Sequence, residues 1–240
     1  MTGDEGLRAA VTALIGLAAA AEQELLAEPR PDAGCSAAHW AAAPTVAHNT
    51  EFRRQQVQRL RAIRCGRTPP EFEEADHASA ALYAELSAQP ADAAARDSWR
   101  VAGELAEEMR LVSREDLLEP ARNPWLRGRQ LWLQVVVRGF WHPLGHLGED
   151  YAGHGQPGRA VRLAEHALAT AEYAGTLAPA RGMASYNLAC ALARAGQLDE
   201  AVASLADAIT LNPDIRANAR HDKDLAGVRN AEAIAVLLAG

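Results

Sequence analysis

From Leu144 onward the chain repeats itself at a fixed interval of 41 residues, and self-similarity of this kind constrains a fold more than any single motif does. The stretch LGHLGEDYAGHGQPGRAVRLAEHALA returns as SYNLACALARAGQLDEAVASLADAITLNP from Ser185. Leu147 falls on Leu188, Gly148 on Ala189, Tyr151 on Leu192, Gly155 on Gly196, Ala160 on Ala201 and Ala167 on Ala208, and Pro213 closes the second copy. Each copy reads as two helices around a glycine turn. Units of this kind bury their apolar faces by stacking, and two copies are fewer than a free-standing array needs. The repeats must therefore lean on something.

What precedes them is helical as well. Alanine dominates the 240 residues, aromatics make up 5% and runs of β-branched residues are nearly absent, which favours helices throughout. Apolar residues at three- and four-residue steps (Leu7, Val11, Leu14, Ala18, Ala21, Leu25) predict a first helix over about 7–27, ended by Pro29 and Pro31. After the loop PRPDAGCSA, a second helix is expected from Pro44 to about Cys65, with Val46, Phe52, Val57, Leu60 and Ile63 buried and Gly66 at its end. Residues 66–96 read as a long crossover with one short helix around 79–88. A third helix follows over about 93–112, with Trp99, Val101, Leu105, Met109 and Val112 facing inward. A fourth starts near 128–130 and contains LWLQVVVRGFWHPLGHL. Four long helices with one long connection make a bundle over residues 1–150, and the repeats of 144–240 continue from its fourth helix. The fold class is all-α.

A net charge of −7 disfavours nucleic acid as a partner, because phosphate needs a basic face. The arginines between Arg53 and Arg64 read as the wet side of a helix. Cys35, Cys65 and Cys190 are odd in number and widely spaced, which fits reduced, mostly buried thiols and neither a disulfide framework nor a CxxC site. The apolar run 9–21 is short for a bilayer, and Asp4 and Glu5 replace the cationic start of a signal peptide. The expectation is a soluble, cytoplasmic protein with no membrane partner.

Chemistry concentrates in the histidines. His142 and His146, four apart on one helix, project from the same face, close enough to share an ion. Val135, Val136, Val137, Phe140, Trp141, Leu144 and Leu147 around them make that helix apolar over most of its circumference, so two imidazoles there need partners. Pro143 between them removes a backbone donor toward Gly139 and predicts a kink. His48, one turn into the second helix, is a third candidate ligand, although spacing alone leaves an ordinary helix-terminal histidine open. His39, His77, His154, His166 and His221 stand in polar or loop contexts. Glu149 and Asp150 are possible acceptors for an imidazole N–H, with a solvated helix face as the simpler reading. Glu51, Gln55 and Arg138 are possible pocket-lining residues. The pairs Glu73–Glu74 and Glu107–Glu108 read as solvent-facing charge. GxSxG, GxxxxGK[ST], HExxH and strand-borne GxGxxG motifs are all missing from the chain.

Two resemblances follow from these residues. WAAAPTVAHNTEF, with Trp40 eight residues before His48, together with FWHPLGHL, resembles the second and fourth helices of the DinB-like superfamily over roughly residues 7–150. In that family one histidine of helix two and two of helix four form a facial triad on a divalent metal, with solvent in the remaining positions. The resemblance implies a triad of His48, His142 and His146 on Zn, Ni, Fe or Mn. It departs at Pro143 and at Ala41, which stands where a small hydroxyl residue often follows the tryptophan. The repeats resemble tetratricopeptide hairpins, whose usual period is about 34 residues; the loop TLAPARG would absorb the longer interval.

The DinB-like resemblance implies a metal-dependent enzyme that activates a low-molecular-weight thiol or water against a small-molecule electrophile, an S-transferase or isomerase, with the repeats bracing it or forming a homodimer contact. No cysteine falls in the motif helices, so the thiol would come from a cosubstrate. The alternative from another class is an interaction or scaffold protein whose repeat groove binds a partner and whose metal site is structural or vestigial.

Overall fold

The computed structural model describes residues 3–28, 40–72, 75–173, 177–229 and 231–239, with backbone alone at 3–4, 75–80 and 233. Among these residues every regular element is helical. The chain divides into two compact units, Val11–His146, and Leu147–Gly240 with Met1–Ala10.

The long helices of the first unit are α1 (Gly3–Ala27), which belongs to it from Val11 on, α2 (Ala42–Arg64), α3 (Ala75–Leu86) and α4 (Ala91–Leu111). The short helices α5 (Arg114–Leu118) and α6 (Leu131–Val136) follow, and a π-helical turn (Val137–Trp141) then leads into α7 (His142–Gly153). Helix α2 is central and packs on α3, α4 and the π turn. All six periodic positions predicted for the first helix are buried. Residues 5–27 of α1 are long and apolar enough to cross a bilayer, and half of that apolar window is buried within the fold, as in a core helix. Helix α2 starts before Pro44, which sits in the first turn where no backbone donor is needed.

Several expectations fail here. Trp99 is 58% exposed, while its neighbour Ser98 is fully buried. Arg53 is not on a wet face: it is fully buried, and only Arg61 and Arg64 of that run are exposed. Glu108 is buried and receives Arg61 Nε at 2.8 Å and Arg64 Nε at 3.2 Å, whereas Glu107 is exposed and paired with Arg110. Cys65 is exposed at the end of α2 and Cys190 is buried. The 29–39 loop with Cys35 and His39, the pair Glu73–Glu74 and the His77 side chain lie outside the described residues.

The second unit holds the repeats. Past the end of α7 it comprises α8 (Pro157–Tyr173), α9 (Ala178–Arg194), α10 (Leu198–Leu211), α11 (Ile215–Ala219) and α12 (Glu232–Ala239). Helix α9 packs against both α8 and α10. The 41-residue offset carries into the backbone. The α7–α8 turn bonds His154 to Asp150, Gly155 to Ala152 and Gln156 to Tyr151, and the α9–α10 turn bonds Ala195 to Ala191, Gly196 to Ala193 and Gln197 to Leu192. Both glycines are left-handed, at φ 71° and 78°, so each copy ends its first helix with the same capping turn. The segment expected as the loop TLAPARG is instead the first turn of α9 from Ala178 on, with Pro179 where its missing N–H does no harm.

Gly182 of α9 lies against α10: a β-carbon there would fall 2.7 Å from Asn212 Cβ and 3.0 Å from the Ala208 carbonyl oxygen. Gly182→Ala is expected to destabilise the protein by about 1–3 kcal/mol, outweighing alanine's better helix propensity of about 1 kcal/mol. Denaturant unfolding checks this; a neutral or stabilising result would mean that the two helices separate freely.

Candidate metal centre

The structure brings together the three histidines that lie far apart in sequence. His142 Nε2 lies 3.1 Å from His48 Nε2 and 3.2 Å from His146 Nε2. The spacing fits a common ion: with metal–nitrogen bonds of about 2.0–2.1 Å, neighbouring ligand nitrogens stand about 3.0–3.4 Å apart for octahedral to tetrahedral angles. The protons point the same way. A single ring nitrogen carries either a proton or a lone pair, so His142 Nε2 cannot donate to one neighbour and accept from the other. A cation between the rings accepts all three lone pairs at once.

Burial keeps the His48 and His142 imidazoles neutral, as ligation requires. His48 is held down at about 4, first by desolvation and then by the neighbouring His146 and Arg138. His142 is held at about 2, by burial first, then by His146, His48, Arg138 and Arg53. Aromatic rings wall the site: Trp40 stands edge-on to His48 at 4.9 Å, and Phe52 lies 4.8 Å from His48 and 4.3 Å from His142. His48 Nδ1 is buried without a hydrogen-bond partner among the described residues.

The local backbone explains how one helix can aim two ligands. Pro143 has no N–H, so in a regular α-helix the Gly139 carbonyl would lose its partner. Here the helix passes through the π turn, in which His142 N–H reaches back to the Val137 carbonyl. The Gly139 carbonyl accepts instead from Arg53 Nε at 3.0 Å. Arg53 is held from the other side by Glu22, NH1 donating to Oε2 at 2.7 Å and NH2 to Oε1 at 3.0 Å. Ser98 Oγ donates to Glu22 Oε2 at 2.5 Å and Asn49 Nδ2 to Glu22 Oε1 at 3.0 Å. One buried cluster thus ties α1, α2 and α4 to the turn that leads into both ligands of α7. The sequence reading missed it, although a signal exists: Glu22 stands four after Ala18 and three before Leu25, on the apolar face of α1.

Other candidates are placed differently. Asp150 Oδ1 lies 3.6 Å from His154 Nδ1, and Glu149 lies 3.9 Å from Lys223. His154, His166 and His221 are exposed. A second group, Cys190 with Asp222 and Asp224, also has ligand-like spacing. Its oxygens are engaged, however: Tyr186 donates to Asp222 at 2.5 Å, Asp222 caps the Asp224 N–H at 2.9 Å, and Arg194 pairs with Asp224 at 3.0 Å. Burial and the two carboxylates push the Cys190 thiol up, so it stays protonated and a poor ligand.

No family model, curated protein or solved structure matches this chain. What the site offers is a half-buried group of three imidazoles able to hold a metal ion.

Proposed function

We propose that this is a divalent-metal protein of the DinB-like class, an enzyme that sets a low-molecular-weight thiol or water against a small-molecule electrophile in an S-transferase or isomerase reaction. The observation that supports it is the meeting of three histidines from α2 and α7, with His142 Nε2 3.1 Å from His48 Nε2 and 3.2 Å from His146 Nε2, and all three ligand atoms within 4.8 Å of one another. A divalent ion held there by three neutral ligands keeps its full charge and open positions, and so lowers the pKa of a bound thiol or water. The residues of the chain hold and shield. His48, His142 and His146 are the ligands, His48 and His142 held neutral by burial, and Trp40 and Phe52 line the flanks. Cys65 is exposed at the far end of α2, and the proposed thiol is a low-molecular-weight cosubstrate. Imidazole donors suit zinc, nickel, iron or manganese.

Elemental analysis of the purified protein tests this. About one equivalent of divalent metal is expected, and near none in His142→Ala at unchanged helicity. Folded protein that neither carries nor takes up any of the four metals overturns the proposal. A screen with small thiols and electrophiles then addresses the reaction. One observation favours a second reading, a tetratricopeptide-type scaffold: the same capping turn recurs 41 residues apart. Metal-free, folded protein that binds a defined partner through α8–α10 would support it.

A further inference from the structure

The repeat offset marks a face of the second unit that its own chain fills. The interval of 41 residues sets Gly148 against Ala189, Glu149 against Cys190 and Gly153 against Arg194, corresponding positions on the first helix of each copy. On α9, Tyr186, Cys190 and Arg194 follow one another at steps of four and make one stripe. All three meet the turn around Asp222–Asp224. Tyr186 donates its hydroxyl to Asp222 Oδ2 at 2.5 Å, the Cys190 thiol donates to the same oxygen at 3.8 Å, and Arg194 donates to Asp224 Oδ2 at 3.0 Å. The same turn reaches α7. Lys223 Nζ lies 3.9 Å from Glu149 Oε1, and Arg194 lies over Gly148, where a β-carbon would fall 3.0 Å from its Nη2. All of these residues belong to the Leu147–Gly240 unit.

The turn carries its own framework. Asp222 Oδ1 accepts from the Asp224 N–H at 2.9 Å, and Arg229 donates to the carbonyls of Arg220 at 2.6 Å and Asp222 at 2.5 Å. Its shape is thus braced from within residues 220–229. What it offers α9 is two carboxylates two residues apart, followed by the fully buried Leu225. Burial raises the Asp224 carboxyl above its ordinary value in spite of Arg194, so the charge sits there at a cost. The Arg194 and Asp224 side chains keep 18% and 19% of their surface exposed, which leaves this pair open to an incoming group. Corresponding faces of stacked repeats add up to an extended binding surface. Here such a face is taken by an acidic turn of the same chain.

We propose that this α7–α9 face docks an acidic peptide segment of a partner protein, Asp-x-Asp-Leu in pattern, and that the chain's own Asp222–Leu225 occupies it as an autoinhibitory stand-in. The donors set the chemistry. A phenol, a thiol and a guanidinium all present hydrogens to carboxylates, and the guanidinium adds a charge-assisted bond. A tethered segment competes at high effective concentration, so a free peptide binds the resting protein weakly and gains when the stand-in is weakened. The inference goes beyond the metal reading and does not depend on it.

Fluorescence anisotropy of a labelled peptide spanning residues 219–229, titrated with the full chain, tests this. Asp222→Asn/Asp224→Asn removes both charges from the stand-in and keeps Leu225. It should bind the peptide about tenfold or more tightly than wild type does. The gain should vanish when Arg194→Gln is added, and with a peptide carrying Asn at both aspartate positions, but not with Arg96→Gln, an exposed control in the other unit. Helicity should be unchanged throughout. Alkylation of Cys190, mapped by mass spectrometry, needs no substitution. Opening of the turn uncovers this thiol, so in native wild type it should react faster than global unfolding allows, and excess peptide should slow it. Three results overturn the docking surface and make residues 215–229 a fixed cap of the repeats. These are peptide binding by the double variant that is absent or equal to wild type, binding indifferent to Arg194→Gln, and a Cys190 that reacts only as the whole protein unfolds.

Discussion

Arg53→Met is expected to destabilise the Val11–His146 unit by about 3–5 kcal/mol, the largest effect of any single substitution considered, because it leaves the Glu22 carboxylate fully buried with no counter-charge. For a protein of this size that corresponds to a fall in Tm of roughly 2–4 °C per kcal/mol. The double variant Glu22→Leu/Arg53→Met separates charge from geometry. Replacing both members of a buried pair by apolar side chains is often neutral or stabilising, so most of the stability should return. The Gly139 carbonyl would still lack a donor, and the hydrogen bond from α2 to the π turn would be gone. Zinc affinity of the refolded double variant should therefore stay about 10–100-fold below wild type, as for other residues that orient ligands without touching the metal. Thermal unfolding and competitive zinc titration read the two effects. A double variant that binds zinc like wild type would show that the buried pair serves the core alone.

Acid should unfold the metal-free protein through the same histidines. The sign follows from the direction of the shifts. His48 is held at about 4 in the fold against 6.5 in the open chain, so between those values the unfolded state binds a proton that the folded state refuses. Stability is unaffected above about pH 6.5 and falls as pH drops through the window, by about 3 kcal/mol at pH 4 from His48 alone, at 1.36 kcal/mol per unit. His142, held at about 2, extends the loss to lower pH. Denaturant titrations at pH 7, 5.5 and 4 measure this. In His48→Phe/His142→Leu the pH dependence over this window should flatten, and a wild-type protein equally stable at pH 7 and pH 4 would contradict the burial of neutral imidazoles. Bound metal should shift the whole transition to lower pH by competing with protons for the same nitrogens.

The helices were legible because their apolar periodicity is regular: Leu7, Val11, Leu14, Ala18, Ala21 and Leu25 are all buried as spaced. The errors have a common cause. Where the core is polar, a hydrophobicity pattern points to the wrong residue. Ser98 occupies the core position and Trp99, one residue on, is turned outward; Arg53 looked wet because its partner Glu22 lies 31 residues away on another helix. The histidines could be placed from helical spacing and the two-part resemblance, since position along a helix fixes direction. Their supporting shell could not, because the Arg53–Gly139 bond joins a side chain to a carbonyl 86 residues distant. Pro143 announced a disturbance in the last bundle helix without specifying its form, since a π turn is a choice of backbone register.

That turn also sets a phase. Each residue of an α-helix advances the direction of its side chains by about 100°, and a π turn takes up roughly one residue more than the helix around it. Upstream, Trp132, Val135 and Val136 point into the apolar interior; downstream, His142 and His146 point at His48. A straight α-helix through the same residues, with no π turn to take up the extra one, would keep the first alignment and swing the second away by about 100°, more than a quarter of a circle. Regularising this segment to gain stability would thus give a tidier helix whose imidazoles no longer converge.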